Sequence, residues 1–194
     1  MDLLVSFFRR ISFRMPARHE ALQVFSVVLF AVFGWSIRGF LYKIPAFTLY
    51  FGLGVNLAIL SYMLAFALLE SLLVTCGLLL LCALLPSRFL QVGFAYKGFL
   101  IVAVATISMI LFETYYRVEY FKDIMARDYS SIPPFIIGTI ACGAALAALL
   151  WLFHRQPRLQ RYSLHVIEQI SVFTYIYVPL GLVGLFVVLA RNLL

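Results

Sequence analysis

Charge is scarce in this sequence. Only 12% of its 194 residues are Asp, Glu, Lys or Arg, against 64% hydrophobic residues and a mean hydropathy of +1.04. A soluble fold of this length cannot bury that much apolar surface, so the composition excludes one and points to an all-α integral membrane protein. Hydrophilic runs are short too. None much exceeds the first twenty residues, which leaves no room for a separate soluble domain.

Cysteine is rare as well. Cys76, Cys82 and Cys142 all lie in apolar runs and lack CxxC spacing, so they read as small packing residues and not as a disulfide framework or metal cage. A nucleophile elbow, a P-loop, GxGxxG and HExxH are missing. No catalytic residue, metal ligand or cofactor is therefore assigned, and the chain leans away from an enzyme. With no internal repeat by which to recognise an inverted-repeat transporter fold, that architecture is not assigned either.

What is present is a basic excess of +7, from 12 Arg and 3 Lys against 8 acids, set in short segments beside apolar runs. That placement fits topology signals and lipid headgroups, not nucleic acid. Residues 1–20 form a basic amphipathic segment. Leu3, Leu4, Phe7, Phe8 and Ile11 recur at helical spacing, with Arg10, Arg14 and Arg18 on another face, which predicts an interfacial helix interrupted at Pro16. Residues 21–194 form a single transmembrane domain.

The first span is Ala21 to Ile37, extended by Phe40 and Leu41, and with no small-x-small cleavage site after it the run is retained. From Pro45 to Leu85 the apolar run would measure roughly 60 Å as one helix, about twice the hydrocarbon thickness, so it must break. Gly52, Gly54 and Asn56 mark the break. Leu57 to Leu85 becomes the second span and Ile44 to Phe51 an aromatic interfacial segment. Phe89 to Phe112, Phe135 to Phe153 and Val166 to Leu189 complete five spans, with six as the alternative count. Between the third and fourth, Arg117 to Pro134 reads as a polar loop.

Lys and Arg in alternate connections divide nine to six in favour of the side holding the N-terminus, counting Arg9, Arg10, Arg14, Arg18, Arg88, Lys97, Arg155, Arg158 and Arg161 against Arg38, Lys43, Arg117, Lys122, Arg127 and Arg191. The bias predicts a cytoplasmic N-terminus and an external C-terminus, and the arginine-rich composition suits a bacterial cytoplasmic membrane.

Ionisable groups inside lipid need a reason. Counting about 1.5 Å per residue from the cytoplasmic boundary of each span, at Ala21, Pro86 and Phe99, puts Arg38, Glu70 and Glu113 at one depth, roughly 21 to 26 Å across. They are the candidate binding cluster, with Tyr115, Tyr116 and Ile44 to Phe51 as its lid. At the other interface, His154, His165 and Glu168 form a polar group in which His165 and Glu168 share a helical face. Gly138, Ala141 and Ala145 make a small-residue packing face on the fourth helix. Pro179 marks a kink or hinge in the fifth, with Ser171 or Thr174 to satisfy the carbonyl it frees.

Three function classes fit these features. The first is a non-catalytic accessory or scaffold subunit of a membrane assembly, with lipids and other membrane subunits or its own copies as partners and no nucleic acid. A second is a small transporter or ion-coupled permease using the Arg/Glu cluster. The third is a membrane domain that acts on, or anchors an enzyme for, lipid-linked substrates.

Overall fold

The computed structural model describes residues 16–85, 93–126 and 132–193, without the side chains of 115–126, 132–136 and 154. The described residues form helices and no strand. In chain order these are α1 (Arg18–Tyr50), α2 (Leu53–Leu84), α3 (Phe94–Ala126), α4 (Ile132–Arg155), α5 (Pro157–Ser171) and α6 (Thr174–Leu193). The chain is a polytopic helical membrane protein. Four helices are long and apolar enough to cross, and α4 together with α5 supplies a fifth, broken candidate. Most of the proposed interfacial helix, residues 1–15, lies outside the described residues.

Inside lipid a helix must satisfy its own polar groups. Five hydroxyls of these spans do so by donating one turn back: Ser26 to the Leu22 carbonyl, Ser61 to Leu57, Ser71 to Ala67, Thr75 to Ser71 and Thr106 to Val102, at 2.6 to 2.9 Å. Helix ends follow local chemistry. Phe51 turns extended (φ −129°, ψ 143°) ahead of Gly52, and Leu85 (φ −75°, ψ 151°) precedes Pro86, whose ring disfavours helix in the residue before it.

Three expected boundaries differ, and one is the expected loop Arg117 to Pro134, of which residues 117–126 continue α3 and residues 132–134 open α4. Ile44 to Tyr50 is not a separate interfacial segment but the last two turns of α1, which runs through Pro45 without breaking and is capped by Phe51. Proline removes one donor and crowds one carbonyl, and Thr48 Oγ1, donating to the Ile44 and Pro45 carbonyls at 3.0 and 3.1 Å, ties the following turn. The last span also starts later than Val166. A break at Val172–Phe173 separates α6 from α5, whose buried Ser163 and Ile167 lie on one face, with Arg161, His165, Glu168 and Gln169 on the other. The apolar run used to place that span began on the inner face of an amphipathic helix.

Contacts group the chain into two compact units, Met1–Ala95 with Leu164–Leu194, and Tyr96–Ser163. In the first, α1 and α2 form an antiparallel hairpin around Leu29, Phe33, Leu64, Ala67 and Leu68. Helix α6 packs along α2 where glycine permits it. A Cβ on Gly184 would stand 2.7 Å from the Ser61 carbonyl oxygen, and one on Gly181 would stand 2.8 Å from Leu68 Cβ. Tyr62 donates to Asn192 Oδ1 at 3.0 Å near the end of the same seam. Against α1, Phe30 meets Phe173 (5.2 Å between centroids) and Phe33 stacks on Tyr177 (5.0 Å, 23°).

Rising residue numbers therefore run together in α1 and α6 and oppositely in α2. If all three cross, an even number of crossings must separate α2 from α6. Helix α3 is of spanning length and composition. Parity makes the broken pair α4 with α5 the candidate for the second, which keeps the count at four or five.

In the second unit, α4 meets α3 through Gly138, whose added Cβ would lie 2.8 Å from the Phe112 ring, and through Cys142, 2.9 Å from Ser108 Oγ.

Candidate functional site

Glu70 sits on α2, seventeen positions after Leu53 and fourteen before Leu84, in the middle of a helix roughly 48 Å long. The buried stripe of α2 is Leu64, Leu68, Ser71, Thr75, Leu78 and Cys82. At about 100° per residue, Glu70 falls some 120° off that stripe. It is exposed, one turn from Phe66 (65% exposed) on one side and one residue short of a turn from Leu73 (74%) on the other. Its neighbours Ser71 and Thr75 spend their hydroxyls inside α2. Among the described residues Glu70 has no hydrogen-bond or ion-pair partner.

Arg38 is exposed on α1, its guanidinium carbon 5.1 Å from the Trp35 ring centroid. Helix register separates it from Glu70. Trp35, Ser36, Gly39, Phe40, Lys43 and Phe47 face Ile59 and Met63 of α2 across a cavity of ≈ 270 Å³. Arg38 is therefore level with positions 59 to 63, about 10 to 16 Å along α2 from Glu70. The expected common depth fails for this pair because each ruler was anchored to a different boundary, whereas the hairpin sets one register for both. Glu113 is half-buried on α3 in the second unit. Of the lid, Tyr115 and Tyr116 have side chains outside the described residues.

The opposite polar group is partly assembled. His165 Nδ1 and Glu168 Oε2 are 4.0 Å apart on the exposed face of α5, and Gln169 Nε2 lies 3.3 Å from His165 Nε2. The side chain of His154 lies outside the described residues. Among the described residues no group of three His, Cys, Asp or Glu converges on a metal-sized site. Arg155 stacks on Trp151 at 4.1 Å, and Gln160 donates to the Phe153 carbonyl at 2.7 Å, tying α5 to the end of α4.

The packing residues divide. Gly138 meets Phe112 closely, Ala141 lines an apolar groove of ≈ 480 Å³ with Ser108, Leu111 and Ile137, and Ala145 is exposed. Pro179 lies inside α6. Neither expected hydroxyl serves the carbonyl it frees, since Ser171 donates to Glu168 and Thr174 Oγ1 is buried without a partner.

Sequence reasoning missed the closest helix approach, at Gly181 and Gly184, and the cavity beside Lys43. Both left a signal. The glycines repeat at i, i+3, Gly184 opposite Ser61 and Ala65 of α2 and Gly181 opposite Leu68, and Ser36, Gly39 and Lys43 share one face of α1. No family model matches this chain, and neither curated proteins nor solved structures gave a match.

Proposed function

We propose that this chain is a non-catalytic accessory or scaffold subunit of a larger membrane assembly. Glu70 carries the reading: a carboxyl in the middle of a spanning helix, exposed between Phe66 and Leu73, with no partner among the described residues. A polar group facing hydrocarbon costs a few kcal/mol, and interhelical hydrogen bonds relieve that cost. The partner is then a hydrogen-bond donor on a neighbouring membrane helix, from another subunit or a second copy. The nine-to-six excess of Lys and Arg supports a cytoplasmic N-terminus, and the composition supports a bacterial cytoplasmic membrane.

The permease reading loses its main support, because Arg38 and Glu70 occupy different levels of the hairpin. A photo-crosslinking residue at Leu73, on the Glu70 face, tests the subunit reading in native membranes. The expected result is one discrete adduct, lost in Glu70→Leu while that variant stays helical and monodisperse. A crosslink pattern indifferent to Glu70→Leu, or crosslinks to lipid alone, overturns it.

A further inference from the structure

The cavity between the far half of α1 and the start of α2 has the composition of a site for a phosphate group, and it lies apart from Glu70. Its walls are Trp35, Phe40 and Phe47 with Ile59 and Met63. Its polar groups are few and convergent. Lys43 is exposed at the mouth, and its ammonium has no hydrogen-bond or ion-pair partner among the described residues. Ser36 also lines the cavity. Unlike Ser26, Ser61 and Ser71, it does not donate to the carbonyl one turn back, so its hydroxyl is available to a ligand.

Gly39 completes the floor. A Cβ there would meet nothing within 4 Å, so helix packing does not demand the glycine, and any larger residue would extend into the cavity. Arg38, on the flank of the helix, stacks on Trp35 and braces that wall.

Depth adds a separate constraint. Helix α1, 33 residues and about 50 Å long, overruns a hydrocarbon core of about 30 Å, and Lys43 lies seven residues, about 10 Å, before its end at Tyr50 and the connection to α2. The cation therefore stands at the level of headgroups, with the aromatic walls reaching into the acyl region. The volume, ≈ 270 Å³, is just under the roughly 300 Å³ at which pockets take whole drug-sized ligands, so it suits a headgroup and its first carbons.

We propose that this cavity binds a terminal phosphate group, as in a phosphate monoester, with Lys43 as its counter-charge, Ser36 as a hydrogen-bond donor and Trp35, Phe40 and Phe47 around the adjoining apolar atoms. A lipid headgroup and a free phosphate share that chemistry, and one titration separates them.

Trp35 and Trp151 are the two tryptophans of the chain, so Trp151→Phe leaves Trp35 as a reporter inside the site. The full-length Trp151→Phe protein in neutral detergent is titrated with dioctanoyl phosphatidic acid, dioctanoyl phosphatidylcholine and inorganic phosphate. Saturable change of Trp35 emission with phosphatidic acid is expected, at least tenfold weaker with phosphatidylcholine. Lys43→Ala should weaken it at least tenfold, Lys43→Arg should keep it, and Gly39→Leu should abolish it. Saturation with inorganic phosphate at the same concentrations, with the same Lys43 dependence, assigns the site to the free anion. No saturation with either, equal binding of phosphatidylcholine, or unchanged affinity in a helical, monodisperse Lys43→Ala protein overturns the proposal.

Discussion

Gly184→Ala should weaken the protein although alanine is the better helix former. A Cβ at Gly184 would lie 2.7 Å from the Ser61 carbonyl oxygen, 3.0 Å from Leu64 Cβ and 3.1 Å from the Ala65 nitrogen. Two of these three atoms are backbone, so no side-chain rotation clears them. Restoring an ordinary contact of 3.4 Å moves α6 away from α2 by about 0.7 Å. A gap of that size forfeits a quarter to a half of each dispersion contact along the seam, and small-to-large substitutions of this kind cost about 1 to 3 kcal/mol. The alanine returns up to about 1 kcal/mol of helix preference. Taking about 2 kcal/mol for the cost against about 1 for the return leaves a net loss of about 1 kcal/mol. Reversible unfolding in mixed micelles measures it, with Gly143→Ala as control, since a Cβ at Gly143 meets nothing within 4 Å and should be neutral or stabilising. If Gly184→Ala proved as stable as the parent, or Gly143→Ala equally damaging, close approach of backbones would not be what holds α6 to α2.

Other substitutions probe separate parts of the fold. Phe33→Ala empties a fully buried position and its stack on Tyr177, and should cost about 3 to 5 kcal/mol in the same unfolding assay. A double-mutant cycle of Ser108→Ala with Cys142→Ala should return a coupling near 0.6 kcal/mol, the average for interhelical hydrogen bonds in membranes, and a value of zero would remove that contact from the account of α3 and α4. Tyr62→Phe deletes an exposed hydrogen bond to Asn192 and should change stability by less than about 1 kcal/mol, read as a shift in unfolding midpoint.

The spans were legible because lipid imposes a length and a polarity on whatever crosses it, and runs such as Leu57 to Leu85 satisfy both without any tertiary knowledge. Interruptions were not. Pro45 looked like a boundary yet sits inside α1, and Val166 looked like the start of a span yet lies on an amphipathic helix that ends at Ser171. In each case neighbouring structure decided what local composition could not. Depth counting failed for Arg38 and Glu70 for a related reason, since relative height within a hairpin depends on where the connection falls, at Phe51–Gly52, and not on distance from either end. Glu70 itself was identifiable from its residue type alone. Its direction, away from the stripe made by Leu64, Leu68 and Ser71, needed the packed helix.

The order in which the ribosome delivers these helices gives the α2/α6 seam a temporal side. Ser61, Ala65 and Leu68 emerge with the first hairpin, but Gly184 and Gly181, which cover them, follow only after more than a hundred further residues. At about 5 to 20 residues per second, the hairpin waits on the order of ten seconds with that groove bare. During the interval, any small-residue helix nearby competes for the vacancy, which makes the nascent chain more exposed to mispairing than the finished one.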